Sequence, residues 1–248
     1  MVAGNSNGQI AFGGTLTGAG VTNSNNLGVW AGTAGDLELV ARRGSQAPGL
    51  APGVNFDGFV GLTTSRFTPT LSADGEVTFL ADLVGPGISS FNDTALFSGT
   101  RDNLELILQA GQQMPGADPG VLFAGINTDT LSANIDGDLA FYAGVKGAAS
   151  YAGIYTYIDG ELELIMKIGD QIDVGSGELR TISELSLHGG VTDGYGSAWN
   201  GAGQLVYRAA FTDHSSAVIF AVVPEPSAGV LMLVGSLLAP LAVRCLRR

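Results

Sequence analysis

The residues best suited to chemistry in this 248-residue chain are acidic side chains beside glycine turns. Asp74-Gly75-Glu76 and Asp136-Gly137-Asp138 each place two carboxylates around one sharp turn. Calcium takes about six to eight oxygen ligands, and turns of this kind supply two or three of them. Related turns hold Asn7-Gly8-Gln9 and Ala202-Gly203-Gln204, so the charges do not recur. We therefore expect polar hairpin turns here and no metal site.

One triplet, Asp213-His214-Ser215, contains the residue types of a serine-hydrolase triad. Adjacent residues of a strand or turn cannot all face one substrate, so we expect a solvated loop. His188, before two glycines, is expected to be a turn residue. The sequence has no Gly-x-Ser-x-Gly elbow, no His-Glu-x-x-His and no phosphate loop ending in Lys-Ser/Thr. These features predict a protein that is not an enzyme and that holds no cofactor or metal ion.

A glutamine recurs at one place in three glycine-bounded loops, as Gln46, Gln113 and Gln171. Such glutamines would either line a shared face that binds glycan hydroxyls or hydrogen-bond the backbone of their own loops. Pro48 and Pro115 lie close by and are typical of a shaped turn, which favours the second role.

Charge and cysteine content limit the partners and the means of stabilisation. The formal net charge is −12, and the only lysines are Lys146 and Lys167. Phosphate binding needs clustered lysine and arginine, so a nucleic acid partner is excluded, whereas neutral glycans and divalent cations are compatible. The single cysteine, Cys245, cannot form an intramolecular disulfide, so packing and strand ladders must hold the fold.

The elements that position these residues are repeated four times along the chain. Each repeat has Asn or Ser, a glycine three positions later, and an aromatic residue four positions after the glycine. The repeated positions are Asn5, Gly8 and Phe12; Ser72, Gly75 and Phe79; Asn134, Gly137 and Phe141; and Asn200, Gly203 and Tyr207. A period of about 65 residues between such landmarks is typical of tandem structural repeats.

The residues of each repeat alternate with a period of two. After Gly75, the segment 77–83 places apolar residues on one side and polar residues on the other, which predicts a half-buried strand. A Leu-Glu-Leu segment at 37–39, 104–106 and 162–164 predicts a further strand. Segments 56–62, 121–126 and 181–187 supply one more strand before each turn. Each unit therefore offers about four short antiparallel strands.

The predicted fold is thus all-β, with tandem four-stranded repeats over residues 1–222 that resemble the blades of a β-propeller. A β-solenoid and a pair of sandwiches are the alternatives. The first unit begins at its turn, and the last ends near Val223 without a Leu-Glu-Leu strand. We therefore expect a ring that closes incompletely, or further units before Met1.

The pattern Asn-x-x-Gly-x-x-Ala-Phe resembles that of a family of tandem-repeat bacterial surface proteins named for this motif. Segments 5–12 and 134–141 match it fully, whereas the second copy has Ser72 and Thr78, and the fourth ends in Val206 and Tyr207. The resemblance implies a surface repeat protein of undefined activity. It brings no catalytic residues.

The C-terminal segment, 223–248, has the composition of a sorting tail. An apolar run at 228–243, near the lower length limit for a transmembrane helix, lies between a short motif and a basic end. The motif and the basic residues are Pro224, Glu225 and Pro226, then Arg244, Arg247 and Arg248. This order resembles the PEP-CTERM signal of Gram-negative bacteria. It implies export, membrane insertion, recognition by an exosortase-type sorting protease, and delivery to the cell surface or extracellular matrix.

The predicted function is that of an exported, non-catalytic surface or matrix protein that binds exopolysaccharide or a surface partner. A secreted glycan-active enzyme on a propeller scaffold and a calcium-stabilised adhesion module are the alternatives. An enzyme would show carboxylates that converge in one cleft, whereas a structural module would show scattered ones.

Overall fold

The computed structural model describes residues 2–62, 69–126, 130–175, 177–189, 198–223 and 244–246. Regular secondary structure in these residues consists of β-strands arranged in four antiparallel sheets. The prediction of an all-β repeat fold with one sheet per unit is confirmed.

The first two sheets come from the first half of the chain. Sheet 1 has the strand order β1 (Val2–Gly4), β2 (Gln9–Thr15), β3 (Leu27–Thr33) and β4 (Asp36–Arg42). Sheet 2 contains β5 (Asn55–Phe59), β6 (Thr70–Leu71), β7 (Val77–Val84), β8 (Thr94–Gly99) and β9 (Leu104–Gln109). Its order is β5-β7-β8-β9, and the short β6 also pairs with β7.

The third and fourth sheets repeat this arrangement. Sheet 3 contains β10 (Val121–Ile126), β11 (Ser132–Ala133), β12 (Leu139–Gly147), β13 (Tyr151–Ile158) and β14 (Glu161–Lys167), and β11 pairs with β12 as β6 does with β7. Sheet 4 has the order β15 (Gln171–Asp173), β16 (Leu179–Ser186), β17 (Gln204–Phe211), β18 (Ser216–Val222) and β19 (Arg244–Leu246). The antiparallel pairing inside every sheet does not fit a parallel β-solenoid.

Both ends of the repeat region differ from the expectation. In the first unit β1 pairs with β2 before the turn, in the position that β6 has in sheet 2. In the last unit β19 pairs with β18, so backbone from the predicted basic tail takes the place of the missing Leu-Glu-Leu strand. No alternating pattern in the sequence predicts β19, because a three-residue strand at a sheet edge can be held by backbone pairing alone.

Three clusters of buried side chains join consecutive sheets. The first joins sheets 1 and 2, the second joins sheets 2 and 3, and the third joins sheets 3 and 4. In the described residues no such cluster joins sheet 4 to sheet 1. Because sheets 2 and 3 share a core as well, the four sheets form one array and not two separate sandwiches.

The repeated aromatic residue packs against the preceding sheet in the two central sheets. Phe79 stacks on its cross-strand neighbour Phe97 and packs into the core shared with sheet 1. Phe141 and Tyr155 form the same pair in the core shared with sheet 2, with ring centroids 6.2 Å apart. Stacked pairs of this kind contribute about 0.5–1.5 kcal/mol beyond the burial of their area. Sheets 2 and 3 therefore each present an aromatic pair to the preceding sheet.

The predicted sorting motif, at Pro224, Glu225 and Pro226, lies outside the described residues. So do the predicted transmembrane helix at 228–243 and Arg247 and Arg248. In the described part of the chain, no helix has the length and apolar character needed to cross a membrane.

Candidate functional site

The repeated asparagine builds the turn that opens each unit. The Asn134 side-chain oxygen accepts hydrogen bonds from the backbone N–H groups of Asp136 (3.0 Å) and Asp138 (2.9 Å). The Asn134 side-chain nitrogen donates to the Asp138 carboxylate at 2.8 Å. Gly137, at φ +93°, closes the turn in a conformation that favours glycine. One side chain thus holds the backbone of the whole turn.

The first and fourth turns use the same bonds. The oxygen of Asn5 accepts from the N–H groups of Asn7 and Gln9, and its nitrogen donates to the Gln9 side chain at 2.6 Å. Asn200 makes the equivalent bonds, including one of 2.9 Å to the Gln204 side chain. The partner at the fifth position was missed by the sequence analysis. Its signal was present, since this position holds Gln, Glu or Asp in all four repeats.

The second turn keeps only one of these three bonds. The hydroxyl oxygen of Ser72 accepts from the N–H group of Glu76 at 3.0 Å, but a serine has no amide that reaches the side chain at the fifth position. The Glu76 carboxylate therefore loses the donor that its counterparts have.

The four turns lie side by side along one side of the array, from sheet 1 to sheet 4. The Asn5 side-chain nitrogen donates to the Ser72 carbonyl oxygen at 2.7 Å, and the Ala73 N–H group donates to the Ile135 carbonyl oxygen at 3.0 Å. A Cβ built on Gly201 would lie 2.7 Å from a methyl group of Ile135, so the third and fourth turns also touch. The residues of these turns therefore link each unit to the next.

An acidic cleft of about 390 Å³ opens between sheets 2 and 3 beside these turns. Glu76, before β7, and Glu105, on β9, line its sheet 2 side, and Tyr157 on β13 lies on the other. The remaining carboxylates in its lining are Asp136, Asp138 and Asp159, from two turns of sheet 3. The acidic turns are visible in the sequence, but no sequence pattern places Glu105, Tyr157 and Asp159 beside them, because these three residues come from strands and turns of neighbouring sheets.

The electrostatics of the cleft follow from its burial and its single sign of charge. Burial raises the pKa of Glu76 above its ordinary value, and the nearby carboxylates of Asp74 and Glu105 raise it further. Burial, followed by Glu105 and Glu76, also raises the pKa of the Tyr157 hydroxyl. The cleft therefore favours neutral hydrogen-bonding ligands or cations over anions.

The acidic turns do not form a metal centre by themselves. Across the described ranges, no three His, Cys, Asp or Glu side chains come together in a group that could hold a metal ion.

Asp213, His214 and Ser215 form a capped hairpin turn between β17 and β18. The Asp213 carboxylate accepts from the backbone N–H group of Ser215 at 2.9 Å and from its hydroxyl, and it lies 3.5 Å from the Arg180 guanidinium. The hydrogen bonds of Ser215 lower the pKa of Asp213, and Arg180 adds to this effect. His214 has φ +65° within the turn. The serine is thus bonded to the aspartate and not to the histidine, unlike a catalytic triad. His188 is exposed, with its side chain outside the cleft lining.

The recurring glutamines hold their own loops in two of the three cases. Gln113 accepts from the Gly120 N–H group at 2.9 Å and donates to the Asp118 carbonyl oxygen at 3.0 Å. Gln46 spans its loop in the same way and accepts from Gly53 at 2.8 Å. Gln171 instead donates to the Thr181 hydroxyl at 3.2 Å. The expected loop-shaping role is confirmed for the first two.

Comparison with known proteins finds one family. A family model described as "Family of unknown function (DUF7453)" matches residues 2–230, which include all four turns and the cleft. No curated protein and no solved structure matches the chain.

Proposed function

The chain belongs to the DUF7453 family of unknown function, and we propose that it is an exported, non-catalytic surface or matrix protein that binds neutral exopolysaccharide. The acidic cleft between sheets 2 and 3 is the observation that carries this proposal. The four sheets act as a propeller-like scaffold, and the linked turns hold the cleft in a fixed shape.

The lining of the cleft suits sugar hydroxyls. Carboxylates accept hydrogen bonds from hydroxyl groups, and bonds that involve a charged partner contribute about 1.5–3 kcal/mol. Tyr157 adds an aromatic ring and Ile107 an apolar side chain, against which the faces of a sugar ring can pack. The net charge of −12 disfavours an acidic polymer, so the ligand of this proposal is a neutral glycan.

A second candidate function is hydrolysis of the same glycan. Five carboxylates line one cleft, and a glycan-active enzyme would use two of them. Glu76, with its raised pKa, has the property of a general acid, and glycosidases pair such an acid with a second carboxylate.

A retention assay with the full chain and exopolysaccharide from the producing organism tests the proposal. Glu105→Gln together with Glu76→Gln should weaken retention at least about tenfold, which corresponds to about 1.4 kcal/mol. Glu163→Gln is the matched control, because Glu163 has the position of Glu105 in the next Leu-Glu-Leu strand but lies outside the cleft. It should leave retention unchanged.

The size of the polymer after incubation separates the two candidates. Retention with unchanged polymer length supports binding alone. New reducing ends that disappear in Glu76→Gln would replace the binding role with hydrolysis. Equal retention by the wild type, the double variant and the control would exclude the cleft as the site.

The export part of the proposal is based on the C-terminal segment, 223–248. We assign to Pro224, Glu225 and Pro226 recognition by an exosortase-type protease and to residues 228–243 the transmembrane helix of the precursor. Replacement of the three motif residues by alanine should leave the chain in the membrane fraction of the producing organism, whereas the wild type is released to the surface or matrix. Release of the variant at the wild-type rate would refute this role.

A further inference from the structure

Sheet 1 presents an apolar face that no other described sheet covers. Val2, Phe12, Trp30 and Leu39 form one row across its four strands, as their cross-strand pairing shows. Val2 is 59% exposed, and the other three side chains are partly exposed. Leu37, in the adjacent row, is 45% exposed.

The same row is an internal contact in the next two sheets. Phe79 and Phe97, at the positions of Phe12 and Trp30, are at most 1% exposed, since they pack against sheet 1. The rings of Phe12 and Trp30 stack with centroids 5.8 Å apart, as Phe79 and Phe97 do at 6.0 Å. Sheet 1 therefore carries the complete aromatic half of an inter-sheet contact, but none of the described sheets packs against this half.

Sheet 4 presents the other half of this contact. Val206 and Val218 are 40% and 46% exposed, whereas Ala140 and Ile154, at the equivalent positions of sheet 3, are fully buried against sheet 4. Exposure of these valines shows that sheet 1 of the same chain does not cover them. The two ends of the array thus differ and complement each other as consecutive sheets do.

We propose that sheet 4 of one copy packs on sheet 1 of a second copy, so that the chains associate head to tail. The new contact repeats the three inter-sheet contacts already present within each chain. It joins two different faces, so it leaves one free face at each end and can propagate.

Arg208 gives this contact a specific feature. It has the position of Leu80, which packs near Phe141 and Tyr155 in the core between sheets 2 and 3. In the head-to-tail contact the Arg208 guanidinium lies over the Phe12 and Trp30 rings of the next copy, a cation–π arrangement.

The size of the face indicates weak association. Four strands about 4.8 Å apart and about seven residues long span roughly 20 Å in each direction. Two such faces bury less than about 1,200 Å² in total, which is the range of weak or transient interfaces. We therefore expect association at micromolar and higher concentrations.

Sedimentation velocity of the full chain tests the proposal. A mild nonionic detergent accommodates the apolar run at 228–243, and the wild type should form dimers and larger species as its concentration rises. Trp30→Glu and Val218→Glu should each remain monomeric, because each blocks one face. An equimolar mixture of the two should give a one-to-one dimer and nothing larger, since each supplies the face that the other lacks.

Additional variants distinguish a blocked face from a misfolded protein. Val2→Glu and Val206→Glu change other exposed positions of the same two faces and should behave like the first pair. Val84→Glu, at a residue 49% exposed in sheet 2, is the control and should associate like the wild type. Trp30 emission should shift to shorter wavelength on association, because Trp199 is already only 1% exposed.

Three results would overturn the proposal. A wild type that remains monomeric at every concentration would show that the end faces do not bind each other. Association that persists in both single variants would assign it to another surface, such as the apolar run. Monomers in the equimolar mixture would rule out the complementary pairing.

Discussion

Replacement of Asn134 by alanine should destabilise the protein by about 2–3 kcal/mol. The substitution removes both hydrogen bonds to the Asp136 and Asp138 N–H groups and the bond to the Asp138 carboxylate. A typical intramolecular hydrogen bond contributes about 0.5–1.5 kcal/mol net, and a polar group left unsatisfied and buried costs about 1–3 kcal/mol. Asn134 is only 2% exposed, so water replaces its bonds poorly.

The fourth turn provides a matched control. Asn200 makes the same three bonds to Ala202 and Gln204 but is exposed, so Asn200→Ala should cost only about 1 kcal/mol. Asn134→Ser should have an intermediate effect, because it keeps an acceptor for the Asp138 N–H group, as Ser72 does for the Glu76 N–H group in the second turn.

Urea unfolding measures these differences. The two tryptophans, Trp30 in sheet 1 and Trp199 beside β17, report on both ends of the array, and far-ultraviolet circular dichroism reports on the strands. A loss of 2–3 kcal/mol should lower the midpoint by about 1 M urea. Equal losses for Asn134→Ala and Asn200→Ala, or a loss below about 0.5 kcal/mol for Asn134→Ala, would refute the role of burial in this argument.

Three further predictions use the same unfolding assay. Because burial and neighbouring carboxylates raise the pKa of Glu76, its ionisation opposes folding once the pH exceeds its ordinary pKa; Glu76→Gln should therefore stabilise the protein at about pH 7 and have little effect at about pH 4, and the reverse order would contradict this. Gln113→Ala should cost about 1 kcal/mol, whereas Gln171→Ala, which loses a single side-chain bond, should cost clearly less. Gly99→Ala should cost more than about 2 kcal/mol because its Cβ would meet the Asn103 carbonyl oxygen at 2.0 Å, and Gly87→Ala, with open space around its Cβ, should cost about 1 kcal/mol; equal costs would refute the steric argument.

Local regularities made the fold predictable from the sequence. A period of two after Gly75 and the repeated Leu-Glu-Leu segment identify strands because burial of one sheet face acts on alternate residues. The position of β19 was not predictable, since a short strand that pairs through its backbone at a sheet edge needs no side-chain pattern.

The candidate site was predictable only in part. The acidic turns follow from their glycines, but the cleft forms because Glu105 and Tyr157 come from different sheets, and their approach depends on how sheets 2 and 3 pack. Sequence spacing holds little information on such packing. The Gln46 and Gln113 roles were predictable because their loops contain the bonding partners within a few residues.

The chain of three inter-sheet cores implies that amide hydrogen exchange will not be uniform. In the part of the chain that the structure describes, sheets 2 and 3 each pack on two neighbours, whereas sheets 1 and 4 each pack on one. In an array stabilised by nearest-neighbour contacts, the outer units open at a lower free energy than the inner ones. The slowest-exchanging amides should therefore lie in β7, β8, β12 and β13, and the array should fray from its two outer sheets inward.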